Sequence, residues 1–291
     1  MKFIPKIVNG VAAQRVAFRF FVTVFVSFSK HDKTANLCGG VIYDARHVLT
    51  AAHCLSEASP YRIMVRGFDN ENIFDQFTSL DYTVMSHIVH PNYDDISLHN
   101  DFAIVRLDRN MEGHEQVLYP RSQTLWQENT EQDVMYTVGH GLTNDGSTSQ
   151  HLMIAKLARV DSAICSWGGA ELGQDLCAGS FTSCSDGACQ DSCQGDSGGP
   201  LFQMKNNAVG KSYYGDIPDG GVIVFGLTSR GAECGTNQTP GIYASLQSVD
   251  GWLREHTGTT EANRADREPS RLLIYAVLFV SVLFFFAVAA C

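Results

Sequence analysis

Three short segments of the chain carry residue types that could act together in nucleophilic catalysis. They are Thr50–Cys54 (TAAHC), Asn100–Leu107 (NDFAIVRL) and Gly195–Pro200 (GDSGGP). A serine hydroxyl is a weak nucleophile near neutral pH, and a histidine with a pKa near ~6.5 can take its proton. A buried carboxylate fixes the histidine tautomer and stabilises the imidazolium. A histidine, an aspartate and a serine in these settings and in this order would rarely occur together by chance.

These residues must be held in place by the surrounding elements, and the apolar pattern predicts that those elements are β-strands. Short apolar runs separated by turn residues are typical of an all-β sandwich or barrel. Helical spacing is confined to two short segments, Asp161–Trp167 and Ser248–His256. The apolar runs are Phe21–Phe28, Tyr61–Val65, Phe102–Leu107, Val134–Val138, Leu152–Val160 and Val222–Leu227.

The motifs around His53, Asp101 and Ser197 resemble those of trypsin-like serine proteases of the chymotrypsin family, and the resemblance covers Ile7–His256. It implies an all-β fold of two six-stranded antiparallel β-barrels, with a short intermediate helix, a C-terminal helix and the active site between the barrels. It assigns Ser197 as nucleophile, His53 as general base and Asp101 as the buried carboxylate. The backbone N–H groups of Gly195 and Ser197 would form the oxyanion hole, where one donor typically contributes ~2.7–4 kcal/mol of transition-state stabilisation.

The segment Gly195–Gly199 also fits the nucleophile elbow of the α/β-hydrolases, G-x-S-x-G. That fold needs its acid and then its histidine after the serine. Only His256 follows Ser197, and the chain lacks alternating helices. The pattern therefore favours the serine protease.

The start of the resembling region matches an activation site of the family. Ile7–Gly10 (IVNG) follows Lys6 directly. Cleavage after Lys6 would free the Ile7 amine, which in the family pairs with the acid next to the serine, here Asp196. Because an unpaired buried charge costs several kcal/mol, such a pair can act as a switch. We therefore expect residues 1–6 to be an activation peptide; they contain no apolar run typical of a signal peptide.

The resemblance also implies a primary specificity pocket. Asp191 lies six residues before Ser197, at the position that forms the pocket floor in the family. A carboxylate there selects a substrate Arg or Lys side chain by charge pairing. Gly231 and Gly241 match the two glycines of the pocket wall, which keep the pocket open for a long side chain, and Ser229 is a further substrate-binding position.

Three positions depart from the family pattern. Arg230 and His140 stand where the family usually has tryptophan, and Glu233 replaces a small residue near the pocket rim. Arg230 and Glu233 either pair with each other or bias the neighbouring subsites. The pair His87 and His90 lacks the glutamate of a helical zinc motif and is followed by proline, so the pair is interpreted as the end of a strand and not as a zinc site. A serine protease of this kind is expected to need neither a metal nor a cofactor.

The nine cysteines indicate a disulfide framework and an oxidising compartment, although nine reduced thiols are the alternative. Cys184 and Cys189 have no standard partner in the family and flank a short loop beside the pocket, so we expect them to bond to each other. Cys291 is left over. The pairs implied by the resemblance are Cys38–Cys54, Cys165–Cys177 and Cys193–Cys234.

The C-terminal part of the sequence differs in character from the rest. Residues 257–271 are polar and are expected to form a flexible stalk. Residues 272–291 are nearly all apolar and, as a helix, are long enough to cross a ~30 Å hydrocarbon core. A tail without basic residues after it favours a glycolipid-anchor signal, with a transmembrane span as the alternative.

The charge of the chain excludes one class of partner, and the motifs and the tail together indicate the others. The chain has 21 Lys and Arg residues against 31 Asp and Glu residues, a formal charge of −10, which argues against nucleic acid as a partner. We expect protein or peptide substrates with Arg or Lys, protein protease inhibitors, and attachment to membrane through the tail. The expected location is the outer face of the plasma membrane or the extracellular space. A catalytically inactive homologue that binds a partner and a soluble digestive protease are the alternatives.

Overall fold

The computed structural model describes residues 10–28, 35–56, 60, 62–67, 73, 75–76, 78, 80–114, 117, 119, 134–141, 149–161, 165, 169–171, 173–179, 189–192, 195–204, 222–231 and 239–258. Within these ranges the chain forms thirteen β-strands and two α-helices. The chain divides into two compact units, residues 1–250 and 251–291.

The first barrel is a closed ring of six antiparallel strands in the order β2-β3-β4-β7-β6-β5. Alternate residues of a strand face the same side, and Val22, Val24 and Val26 of β2 accordingly fill the interior of this barrel. The strands are β2 (Phe21–Ser27), β3 (Asn36–Ile42), β4 (His47–Thr50), β5 (Arg62–Arg66), β6 (Tyr82–Val89) and β7 (Ala103–Leu107).

The second barrel is built from the six strands that follow. Their order is β9-β10-β13-β12-β11-β8, and the pairing of β8 with β9 closes the ring. The short strand β1 (Val11–Ala12) adds to β9 at its edge. The strands are β8 (Val134–Gly139), β9 (Met153–Arg159), β10 (Asp175–Gly179), β11 (Pro200–Met204), β12 (Val222–Arg230) and β13 (Gly241–Ser245).

Aromatic side chains and one backbone contact join the two barrels. Phe18 and Phe20, which precede β2, pack edge-on against Phe202 of β11 with ring centroids 6.0 and 5.3 Å away. Nearby, the N–H of Gly39 on β3 donates to the carbonyl oxygen of Ser197 at 2.8 Å. The serine is therefore anchored at the junction of the barrels.

The helical content is small. Helix α1 is a single turn, His53–Ser56, directly after β4, and a 3-10 turn spans Leu246–Val249. Helix α2 spans Asp250–Thr257. It ends at Thr257, and the next residue, Gly258, has a φ of +69° and donates its N–H to the Arg254 carbonyl, a left-handed cap that glycine adopts without steric penalty.

The predicted fold of two six-stranded antiparallel β-barrels is confirmed. Each of the six predicted runs coincides with an observed strand to within one residue at its start and to within three residues at its end. The C-terminal helix is also present. The predicted intermediate helix at Asp161–Trp167 lies mostly outside the described residues.

Among the described residues, none of the helices has the length and apolar character needed to span a lipid bilayer.

Candidate active site

His53 and Asp101 are brought together by the pairing of β4 with β7. The last residue of β4, Thr50, lies opposite the first residue of β7, Ala103, in antiparallel register. The chain that leaves β4 and the chain that enters β7 therefore meet at the same barrel edge. His53 is three residues beyond Thr50, and Asp101 is two residues before Ala103, so both side chains are placed at this edge.

The Asp101 carboxylate is fully buried and accepts three hydrogen bonds. The backbone N–H of His53 donates to Oδ1 at 2.9 Å, and His53 Nδ1 donates to Oδ2 at 2.8 Å. The hydroxyl of Ser229, from β12 of the second barrel, donates to Oδ2 at 2.6 Å. These donors replace the water that the ionised carboxylate would otherwise need, and they fix the His53 ring with its Nδ1 on the carboxylate.

Ser197 lies in a tight turn that leads into β11. Its carbonyl oxygen is 3.9 Å from Cys54 Sγ, so the residue after His53 contacts the backbone of the serine. Gly198 has a φ of +77°, and an added Cβ would lie 2.3 Å from Thr50 Oγ1 and 2.6 Å from the Gly39 carbonyl oxygen. Glycine at this position therefore lets the serine turn sit directly on the first barrel.

Asp196 is buried in a cradle of glycine backbone. The N–H of Gly141 donates to its Oδ1 at 2.9 Å. A Cβ on Gly139 or Gly141 would come within 2.0 or 2.4 Å of the carboxylate oxygens. Gly195, the residue before Asp196, has a φ of +94°, a backbone conformation that glycine adopts without steric penalty.

Asp191 is almost fully buried and lies beside Gly241. The N–H of Ser192 donates to Asp191 Oδ1 at 2.8 Å, and a Cβ on Gly241 would lie 3.4 Å from the same oxygen. Tyr243 forms a 2.8 Å hydrogen bond with the Ser192 hydroxyl. Burial, and after it the charge of Asp191, raises the pKa of Tyr243 well above its usual value, so this phenol stays neutral. Gly231 has open space where a side chain would be.

Arg230 makes contacts that the sequence did not indicate. Its Nη2 lies 2.7 Å from Asp175 Oδ2, in a pair whose side chains are 12% and 2% exposed. The same guanidinium donates to the carbonyl oxygens of Leu98 and Gly169 at 3.3 and 3.2 Å. Glu233, one of the alternatives for its partner, lies outside the described residues. Asp175 is the acid that carries the contact with Arg230 in the described part of the chain.

His140, the second departure from the family pattern, is buried between Gly139 and Gly141. Its Nδ1 donates to the carbonyl oxygen of Ser149 at 3.1 Å, while Nε2 has no hydrogen-bond partner among the described residues. Burial, together with the nearby charge of Arg15, lowers the pKa of His140 from 6.5 to about 3. The ring is therefore neutral at physiological pH.

Two of the implied disulfides lie within the described residues. Cys38 is bonded to Cys54, next to His53, and Cys165 is bonded to Cys177 of β10. Cys189 is also disulfide-bonded. The described residues do not include its expected partner Cys184 or the pair Cys193–Cys234. They also do not include the predicted activation site at Lys6 and Ile7, or the C-terminal residues 259–271 and 272–291.

Sequence reasoning missed some of the residues that support the site. Gly39 and Thr50 form the surface on which the serine turn rests, and Asp175 neutralises Arg230. Thr50 is part of the motif Thr50–Cys54 around His53, so its place in that motif could have indicated a role at the site. Nothing in the spacing of Gly39 or Asp175 distinguishes them from other strand residues.

Comparison with known proteins finds similarity to trypsins and to a further serine protease. The family model described as Trypsin matches residues 7–253. The chain is 29% identical over 241 residues to Trypsin, alkaline B of Manduca sexta, covering 80% of this chain and 85% of that protein. It is 30% identical over 218 residues to Trypsin iota of Drosophila melanogaster, covering 74% and 77%. It is 28% identical over 240 residues to CLIP domain-containing serine protease B4 of Anopheles gambiae, covering 75% of this chain and 61% of that protein.

Proposed function

The chain belongs to the trypsin family of serine proteases, and we propose that it is an active endopeptidase that cleaves after Arg or Lys. The observation that carries this proposal is the buried Asp101 carboxylate, which holds His53 through two hydrogen bonds and is itself held by Ser229. Burying an ion is costly unless hydrogen bonds replace its hydration.

The proposed reaction proceeds through an acyl-enzyme. Because Nδ1 of His53 is bonded to Asp101, Nε2 is the nitrogen that takes the hydroxyl proton of Ser197 as its oxygen attacks the scissile carbonyl carbon. The carbonyl oxygen becomes an oxyanion, which the N–H groups of Gly195 and Ser197 stabilise. His53 then gives its proton to the departing amine. Water, activated in the same way, hydrolyses the ester and restores the serine.

Specificity for Arg or Lys rests on the buried Asp191. Its position beside Gly241 supports a deep pocket with a negative charge at its end. The test is hydrolysis of three fluorogenic peptides that differ only in the last residue, Arg, Lys or Phe. Asp191→Ser is expected to lose at least 100-fold in kcat/KM on the Arg and Lys peptides, since a charge-assisted contact is removed from a buried site. Glu112→Gln, an exposed acid, is the matched control and should behave as the parent.

Preference for the Phe peptide would overturn the pocket assignment. Absence of hydrolysis on every peptide, by protein that has been cleaved after Lys6, would favour a binding module over an enzyme.

We also propose that the enzyme is made as a zymogen. The buried Asp196 carboxylate lies against the backbone of Gly139 and Gly141, where a side chain would clash with it, and the family resemblance provides the Ile7 ammonium as its partner after cleavage. A Lys6→Gln chain should therefore remain inactive after treatment with a lysine-specific protease that activates the parent. Full activity of the Lys6→Gln chain would contradict the switch.

The location proposed for the enzyme is the secretory route and the outer surface of a membrane. The disulfides Cys38–Cys54 and Cys165–Cys177 support an oxidising compartment. The apolar length of residues 272–291 supports attachment to a bilayer. Treatment of cells with a phosphatidylinositol-specific phospholipase should release the enzyme, and retention on the cells would instead favour a transmembrane span.

A further inference from the structure

Arg230 ties together three segments that are distant in sequence. Its guanidinium contacts the Leu98 carbonyl at 3.3 Å, the Gly169 carbonyl at 3.2 Å and the Asp175 carboxylate at 2.7 Å. Only 12% of the Arg230 side chain and 2% of the Asp175 side chain are exposed. The positive charge of Arg230 is therefore paired within the protein and is mostly shielded from solvent.

A second contact joins two of the same segments. His99 Nε2 donates to the Gly169 carbonyl at 2.9 Å, and His99 Nδ1 lies 3.5 Å from Glu171 Oε2. The Glu171 N–H donates to Asp175 Oδ2 at 3.0 Å. The Gly169 carbonyl is thus shared by His99 and Arg230, so the position of the histidine ring depends on the segment that Arg230 holds.

The loop Asp94–Asn100, which we call the approach loop, leads directly into Asp101 and has an unusual backbone. Leu98 and Asn100 have φ values of +55° and +54°, in the left-handed region that side chains disfavour. Within the loop, Asp94 caps the turn by accepting the N–H groups of Ile96 and Ser97. A strained backbone persists only where its surroundings stabilise it. The hydrogen bond from Arg230 to the Leu98 carbonyl therefore stabilises this loop from outside.

We propose that Arg230 is a positioning residue that fixes the approach loop and His99 as a rigid wall beside the Ser229–Gly231 end of β12. This inference rests on the proposed function and on the resemblance that makes Ser229 and Gly231 substrate-binding positions. The wall serves extended peptides, since a substrate of one residue does not reach it. Asp101 has three hydrogen bonds of its own, so the wall acts on substrate binding rather than on the catalytic step.

The fork geometry of arginine is essential to this role. The guanidinium presents several donors in one plane and reaches two carbonyls and a carboxylate together, whereas a lysine ammonium is a single point charge. Arg230→Lys keeps the charge opposite Asp175 but cannot keep all three contacts. Arg230→Lys and Arg230→Met should therefore raise the KM of an extended peptide to a similar extent, which separates the fork from charge neutralisation alone. Arg230→Met also leaves the buried Asp175 carboxylate unpaired, so it should lower the free energy of unfolding more than Arg230→Lys does.

The test compares two substrates with the same leaving group, a single-residue arginine amide and a four-residue peptide that ends in arginine. Arg230→Lys and Arg230→Met are expected to raise KM for the four-residue peptide about tenfold, with kcat and the hydrolysis of the single-residue amide within twofold of the parent. Hydrogen exchange at the amides of the approach loop should rise in both variants. Arg106→Met, which removes an exposed arginine of β7, is the matched control.

Each other outcome has a definite meaning. Equal losses on both substrates would show that Arg230 acts through the triad or through folding, and would overturn the wall. Unchanged kinetics on both substrates would overturn it as well, and so would full recovery in Arg230→Lys. If the parent hydrolyses neither substrate, the proposed function itself fails, and the role of the wall fails with it.

Discussion

The buried, neutral His140 should make the stability of this protein depend on pH in a specific window. Burial holds the pKa of His140 at about 3 in the folded state, against 6.5 for an ordinary histidine. Between these values the unfolded chain binds a proton at this residue and the folded chain does not. The free energy of unfolding therefore falls as the pH is lowered from about 6.5 towards 3.

The size of the effect follows from the two pKa values. One pH unit inside the window corresponds to about 1.4 kcal/mol. At pH 5.0 the unfolded histidine is almost fully protonated, so the loss attributable to His140 between pH 7.5 and pH 5.0 is about 2 kcal/mol. Because pH 5.0 lies well above the folded pKa, the expected loss does not depend on its exact value.

The assay is urea unfolding at pH 7.5 and pH 5.0, in a Ser197→Ala background that prevents self-digestion. The His140→Gln variant keeps an N–H donor for the Ser149 carbonyl but does not titrate. It should lose about 2 kcal/mol less than its background over this interval, while His87→Gln, at an exposed position on β6, should lose as much as the background. If His140→Gln and the background lose stability in parallel, the inference that the folded state keeps His140 neutral is wrong.

Other substitutions test the packing of the barrels and the hydrogen bond that Ser229 donates to Asp101. Asp81→Asn breaks a fully buried ion pair with Arg66 and should lower the free energy of unfolding by about 3–5 kcal/mol. Asp108→Asn breaks a partly exposed pair with Arg109 and should lower it by less than about 1 kcal/mol. The urea midpoints of the two variants and the parent check this difference. Ser229→Ala removes the 2.6 Å bond to Asp101 and should lower kcat roughly 10- to 100-fold with little change in KM; an unchanged kcat would show that this bond does not support the carboxylate. Gly198→Ala places a Cβ against Thr50 and should destabilise the fold by more than about 2 kcal/mol, and a melting temperature equal to that of the parent would contradict the close contact.

The barrels could be predicted from sequence because their signal is local. A short, mostly apolar run such as Phe21–Phe28 indicates a buried strand through its own residue types. The residue types of the site were equally readable, since the histidine, aspartate and serine each lie in a distinctive segment. The junction of β4 with β7, where Thr50 lies opposite Ala103, explains in physical terms why two of these segments meet.

The contacts around Arg230 could not be predicted in the same way. Asp175 lies 55 residues before it in the chain, and nothing in the local pattern of either residue indicates the other. The Leu98 carbonyl is a backbone group, for which the residue type carries no signal. The burial of His140 also depends on neighbours from other elements, such as Phe21 of β2, whose ring centroid is 6.1 Å away. Such contacts follow from the tertiary fold and become visible only in the structure.

In the proposed mechanism Ser197 is a nucleophile activated by His53, and covalent labelling is the direct test of this role. Protein cleaved after Lys6 would be treated with a fluorophosphonate, in which the serine oxygen attacks phosphorus and fluoride leaves, and the adduct would be located by peptide mass mapping. A single adduct on Ser197 is expected, with labelling slowed at least 100-fold in His53→Ala because the general base is absent. No adduct in the cleaved parent, or an adduct on another residue, would contradict the account.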